Sequence, residues 1–177
     1  MKRILSFCIW GDMKLYCIGA IKNAILAEKI FPEWICRFYY DSSAPKIIIE
    51  NLQKMKNTEL VFIDNPSGGK KYKERGQFGA FWRFYPFDDD DVEIWCSRDI
   101  DSRISECEKE EMDKFIESDK CLHSFRENNE PKLRAGMVSF KNFSKGNDNR
   151  IINEKKIIIK DLIDNFIGKK NTPFYSD

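Results

Sequence analysis

Ser97-Arg98-Asp99-Ile100-Asp101-Ser102-Arg103 sets two carboxylates one residue apart, flanked by two arginines, where the apolar run Val92–Ser97 ends. In extended chain, residues i and i+2 face the same way, so Asp99 and Asp101 are expected to aim at one place. Like charges held together call for a cation. Oxygen ligands suit Mg²⁺ or Mn²⁺, which commonly complete their shells with water and substrate phosphates. The expectation is a metal-bridged phosphate site with Asp99 and Asp101 as metal ligands and Arg98 or Arg103 adding forked donors. The plain alternative is a solvated turn in which Asp99 pairs with Arg103 and nothing binds.

The elements that must position these groups follow from periodicity. "RILSFCIW" (3–10) reads as a strand closed by Gly11-Asp12. A helix follows, with Ile18, Ile21, Ile25 and Leu26 at helical spacing, Asp12 as a candidate cap and Pro32 beyond its end. "ICRFYY" (35–40) is a second strand, and a helix starting at Pro45 places Ile48, Leu52 and Met55 on one face. "ELVFID" (59–64) is the third strand, 68–76 a basic glycine-containing loop, and 78–87 an aromatic stretch. The fourth strand ends at the two aspartates. Ser105 and Glu108 then have capping-box spacing, with Met112, Phe115 and Ile116 inward. "CLHSF" (121–125) and "AGMVSF" (135–140) are short strands, and 155–168 is a helix stopped by Gly168. Alternating strands and helices predict an α/β fold whose mostly parallel sheet is flanked by helices. Ligands then sit beyond the carboxyl ends of the strands.

Composition narrows the function classes. The 177 residues, 42% hydrophobic, suffice for one core, so a single domain over 1–177 is expected. Thirty basic and twenty-nine acidic residues leave a formal net charge of +1, which provides no global field for nucleic acid or an anionic membrane. The six cysteines stand singly in apolar stretches and read as reduced core residues, implying a reducing, cytoplasmic setting. The N-terminus has the basic start and apolar stretch of a leader, but Asp12 and Lys14 interrupt it. No apolar run reaches the ~18 residues of a transmembrane segment.

Several stretches together, "SFCIWGD", "RFYYDSSAP", "GAFWRFYPFDD", "SRDIDSRISECEKEEMDKFIESDK" and "AGMVSFK", resemble nucleotide-diphospho-sugar glycosyltransferases of the GT-A (Rossmann-like) fold. The likeness is to a group whose signature reads S-R-D-x-D-S-R. It implies a nucleotide-binding half over about 1–104 and an acceptor-side half over about 105–177. It further implies that Mn²⁺ or Mg²⁺, held by Asp99 and Asp101, bridges to the diphosphate of a nucleotide-sugar donor. By likeness Cys8, Ile9, Trp10, Gly11 and Asp12 border the nucleotide, and Tyr40 and Asp41 lie close to base or ribose. Arg83 and Arg98 face the donor, Ala135, Gly136 and Met137 line the acceptor side, and Asp177 matches the aspartate of a Y-x-D as a candidate acid or base. The chain departs from the group at "FREN", where the group runs M-R-D-H-P, and at "GMVS", where it runs G-M-W-G. It also ends at "TPFYSD", where related enzymes continue into a helix and a segment that supplies a histidine to the metal.

The expected activity is transfer of a sugar from that donor to a hydroxyl acceptor (glycan, lipid-linked or protein), with inversion and retention both open. Two other readings stand beside it: a non-catalytic nucleotide- or glycan-binding fold, and a sugar-phosphate nucleotidyltransferase. The second resembles a fold with a glycine-rich basic loop after the first strand, where this chain has "WGDMKLY". Other patterns fail on single residues. A calcium loop counted from Asp99 puts Ile104 where the sharp turn requires glycine, although Glu110 stands at the twelfth position. A haloacid-dehalogenase-type phosphatase resembles D-x-D-x-[TV] after its first strand, whereas Arg103 holds that last place here. Phe78, Phe81, Trp82 and Phe84 read first as core, as does His123, the only histidine. Asp88–Asp91 read as a solvated run. RNA binding through Lys70, Lys71, Lys73 and Arg75 lacks any RNP-type motif.

Overall fold

The computed structural model describes residues 1–64, 78–125 and 136–142, all within one compact unit, Met1–Asn142. The helix expected over 155–168, the loop 68–76, Ala135 and Asp177 lie outside the described residues, as does everything past Asn142 in the expected single domain. Six strands form one sheet: β1 (Lys2–Ile9), β2 (Ile35–Tyr40), β3 (Thr58–Phe62), β4 (Val92–Arg98), β5 (Leu122–Ser124) and β6 (Met137–Lys141). Their order is β3-β2-β1-β4-β6-β5. The pairs β1–β2, β2–β3 and β1–β4 are parallel, and β6 runs antiparallel to both β4 and β5. The sheet is therefore mixed, with one strand opposing the rest. The α/β architecture expected from the alternation is present.

Helices α1 (Lys14–Ile30), α2 (Lys46–Gln53) and α3 (Glu106–Glu117) connect or follow the parallel strands. Because β1 and β4 are covered on both faces, they read as continuous apolar runs rather than alternating ones. Strand parity divides the two faces. Leu5, Phe7, Ile9, Phe38, Ile94 and Cys96 join Ala20, Ala24, Ala27, Leu52, Met112 and Phe115 of the helices in one core. Cys8 and Tyr39 face the opposite way and pack with Trp82 of a 3₁₀ segment, Phe78–Asp88. Phe84 of that segment stands edge-on to Trp95. Trp82 and Phe84 thus pack against the sheet, as their apolar character predicts.

Helix α1 bears out half of the expected inward face, Ile21 and Leu26 packing against the core, and corrects the other half. Its buried residues are Cys17, Gly19, Ala20, Asn23, Ala24 and Ala27, while Ile18 and Ile25 are exposed. Small side chains let the helix axis approach the sheet and the turn after β4. A β-carbon on Gly19 would lie 2.2 Å from the Ile100 carbonyl oxygen, a distance real side chains do not reach. Asp12 caps nothing here: the N-cap is Met13, without a side-chain cap bond. The capping box at α3 forms as its spacing predicts, with Ser105 Oγ accepting from the Glu108 amide and Glu108 Oε2 accepting from the Ser105 amide. At the other end of α3, Lys141 of β6 donates to the carbonyls of Ile116 (3.1 Å) and Ser118 (2.5 Å). That ammonium satisfies carbonyls which the helix itself leaves open.

Candidate functional site

In parallel α/β sheets the crevice for a ligand forms where strand order reverses, beyond the carboxyl ends. Here the chain runs outward from β1 to β2 and β3, then crosses to β4 on the other side of β1. The reversal lies between β1 and β4, and the D-x-D residues follow β4 immediately. Ser6 pairs with Ser97 and Ile9 with Tyr40, so the ends of β1, β2 and β4 stand side by side.

Strand parity decides where the charged residues of the motif go. Arg98 shares the side of Ile94 and Cys96, under α3. Its guanidinium forms an ion pair with Glu108, also donating to Met137 Sδ at 3.5 Å and to the Arg103 carbonyl at 3.5 Å. The two side chains are only 3% and 13% exposed. This corrects the expectation that Arg98 offers a fork to a donor phosphate: its charge is spent inside the fold, holding the first turn of α3 against β4. Asp99 takes the opposite side, where Arg83 of the 3₁₀ segment donates to its Oδ1. Arg83 also donates to the Arg98 carbonyl at 3.3 Å, and its buried Nε has no hydrogen-bond partner among the described residues. The partner of Asp99 is thus Arg83 and not Arg103. Arg103 instead folds back on the carbonyls of Ile100 (3.2 Å) and Ser102 (3.4 Å).

Asp101 requires a second correction. β4 ends at Arg98, and the Ser102 amide donates to the Asp99 carbonyl at 3.2 Å, closing a turn over residues 99–102. The i, i+2 rule of extended chain does not extend through it. Asp101 stands exposed on this turn, and Asp99 is partly exposed at its start. Both remain oxygen donors on one short segment. One or two carboxylates plus phosphate oxygens is a donor set on which Mg²⁺ is commonly held, so the chemistry of these residues fits such an ion. Among the described residues no three His, Cys, Asp or Glu side chains gather as ligands. A cation here would therefore complete its shell from water or a bound phosphate.

Gly136 closes the other side of Asp99. A β-carbon there would lie 2.0 Å from Asp99 Oδ2. The expected acceptor-side glycine is in fact pressed on the carboxylate itself, while Met137 turns toward Arg98. Cys8 lies close by. Burial pushes its thiol up to about 11, with Arg83 pulling it down and Asp99 pushing it up, so it stays protonated and is no nucleophile. No protein-family model matches this chain, and no curated protein matches it.

The remaining expected nucleotide-side residues form a second cluster. Gly11, with φ +69°, occupies the left-handed region that favours glycine, and its amide donates to Ser43 Oγ at 2.7 Å. Asp41 Oδ1 accepts from Ser43 Oγ at 2.5 Å and from the Ser43 amide at 3.0 Å. This chain of bonds ties the end of β1 to the end of β2 and uses the buried Asp41 as a structural acceptor. Trp10 packs edge-on to Trp82, Tyr40 pairs with Phe62, and Ile9 is buried. Only Asp12 of the group is exposed.

Sequence reasoning missed Asn23. It is fully buried in α1, and its Nδ2 donates to the carbonyls of Ile100 (3.1 Å) and Ser102 (2.9 Å). Its Oδ1 accepts from the Ile104 amide at 3.3 Å. The available signal was an amide set among Cys17, Ala20, Ala24 and Ala27 on one helical face, since a buried polar side chain must find partners.

Proposed function

We propose that this chain binds a nucleotide-diphosphate sugar at the carboxyl ends of β1 and β4 and transfers the sugar to a hydroxyl acceptor. The observation that carries the reading is the S-R-D-x-D-S-R segment at the strand-order reversal, with Asp99 held between Arg83 and Gly136. Asp99 and Asp101 would hold a divalent cation, which when bound supplies positive charge against the departing diphosphate. Arg83 adds a fixed cation on the same side. Its position is set before any ligand arrives, because the guanidinium is mostly buried and anchored on the Arg98 carbonyl.

The test is a thermal-shift screen of UDP-, GDP- and dTDP-sugars with and without Mn²⁺, since a ligand that binds only the folded chain raises its apparent stability. The expected result is a shift for one nucleotide that requires the metal and is lost in Asp101→Asn with the fold intact. A shift unaltered in that variant rejects the assignment. Donor hydrolysis is then followed by release of nucleotide diphosphate. Binding without turnover would leave a binding fold and remove the enzyme.

A further inference from the structure

The motif segment does not hold its own shape. Residues 99–104 leave the sheet, and within the turn only the Ser102 amide to the Asp99 carbonyl closes the backbone. Arg103 adds side-chain contacts to the carbonyls of Ile100 and Ser102. From outside the segment, Arg83 holds the Asp99 carboxylate and Arg98 donates to the Arg103 carbonyl. The middle of the turn is supported by α1, nearly eighty residues away in sequence. Asn23 grips the segment at three points, two carbonyls and one amide, spanning both sides of Asp101. Gly19, one turn earlier on the same face, lets the Ile100 carbonyl approach so closely that no side chain fits between. Ile100 and Ile104, which bracket Asp101, are buried in the helix-side core.

We infer that Asn23 is a positioning residue for the acidic turn: with Gly19 it holds Ile100–Ile104 in the observed turn and so sets where Asp101 stands relative to Asp99 for the proposed cation. The inference rests on the function proposed above for its cation half, and on geometry alone for the clamp. Asn23 touches neither ligand nor metal in this scheme. It acts through the Ile100 and Ser102 carbonyls.

The experiment uses the full chain as wild type, Asn23→Ala and Gly19→Ala. The second variant separates the clamp from helix stability, because alanine favours a helix over glycine while its methyl displaces the Ile100 carbonyl. Two quantities are measured: hydrogen exchange at the Ser102 and Ile104 amides against β4 amides, and Mn²⁺ affinity by the paramagnetic signal of the free ion, with a sugar nucleotide present. The expected outcome is exchange at least about 10-fold faster at Ser102 and Ile104 in both variants, with β4 amides unchanged, as loss of local bonds requires. Mn²⁺ affinity should fall by about 10-fold or more in both, given that a change near 1.4 kcal/mol is tenfold. Unchanged exchange at Ile104 overturns the clamp. Faster exchange with wild-type Mn²⁺ affinity overturns the positioning role. If the wild type itself binds no Mn²⁺, the proposed function fails, and exchange at Ile104 alone then supports or overturns the clamp. Should Asn23→Ala fail to fold, Gly19→Ala carries the same two readouts.

Discussion

Replacing Gly136 by alanine probes the contact that fixes Asp99. The new β-carbon would lie 2.0 Å from Oδ2, 2.1 Å from Cγ and 2.5 Å from Oδ1, against 3.4–4 Å for ordinary contact. One side must therefore yield by more than an ångström. The next residues of β6 are held in register, Met137 beside Arg98 and Val138 beside Ser97, with β5 paired on the far side. Backbone withdrawal would disturb both pairings, so the part that moves is the Asp99 side chain, which is 43% exposed. Once it swings out, Arg83 loses its carboxylate while remaining mostly buried. Breaking a fully buried ion pair costs about 3–5 kcal/mol, but exposed pairs are worth about 0–1, and this pair lies between. A loss of about 1–2 kcal/mol follows. For a chain of this size that lowers Tm by roughly 2–8 °C.

The assay is thermal unfolding followed by circular dichroism, run on wild type, G136A, D99A and the double variant. Removing the carboxylate removes the collision, so G136A should cost little once D99A is present. The double-mutant cycle should return a coupling of about 1–2 kcal/mol. A G136A variant with wild-type Tm would refute the crowding argument. So would an equal cost in both backgrounds, since the methyl would then be colliding with something other than Asp99. The Mn²⁺-dependent thermal shift expected with a sugar nucleotide should disappear in G136A, as it should in Asp101→Asn.

Two further outcomes concern the rest of the fold. Arg37, buried between β2 and the 3₁₀ segment, donates to Glu59 at 2.8 Å and to Asp89 at 2.7 Å. Burial alone would raise both carboxyls, yet Arg37 and Lys2 outweigh it, with the Asp91 amide also helping Asp89, and both sit below their ordinary values. Groups with depressed folded values stabilise the protein above their unfolded pKa, about 4, and lose that contribution as pH falls through the folded value. Arg37→Met should therefore be less stable than wild type in urea at pH 7, and the deficit should narrow at about pH 3; a deficit equal at both pH values would point to packing instead of charge. Among the cysteines, Cys107 is exposed, whereas burial pushes the Cys8 thiol to about 11 and Cys36 to about 12. A disulfide reagent at about pH 8 should modify Cys107 first, and Cys107→Ser should abolish that fast phase without altering Tm; a fast phase that survives the substitution, and also survives Cys121→Ser at the half-buried Cys121, would mean that a buried thiol is accessible.

The central strands were legible because burial on both faces makes them short apolar runs, and Ile35–Tyr40 matches its expected limits residue for residue. The cap of α3 was legible because its two side chains sit three residues apart and need nothing distant. The inward face of α1 was not, for a reason of volume. Hydrophobicity ranks Ile18 and Ile25 above Ala20 and Ala24, but a helix lying close against a turn selects small residues, and the larger ones are left outside. Cys107 was misjudged in the same way, since a cysteine in an amphipathic helix can take either face.

The acidic motif shows where local reasoning ends. Parity along β4 sends Arg98 to Glu108 and Asp99 to Arg83, and it holds for as long as the chain is extended. One residue later the turn begins, and Asp101 no longer answers to that rule. Its position depends on the Ile100 and Ser102 carbonyls, which Asn23 holds from 77 and 79 residues away. The place of Asn23 on the small-residue face of α1 signals burial but not a partner, so its bond to the motif becomes visible only once α1 lies across the carboxyl end of β4. The proposed cation site therefore rests on the D-x-D spacing jointly with the helix that grips the carbonyls on either side of Asp101.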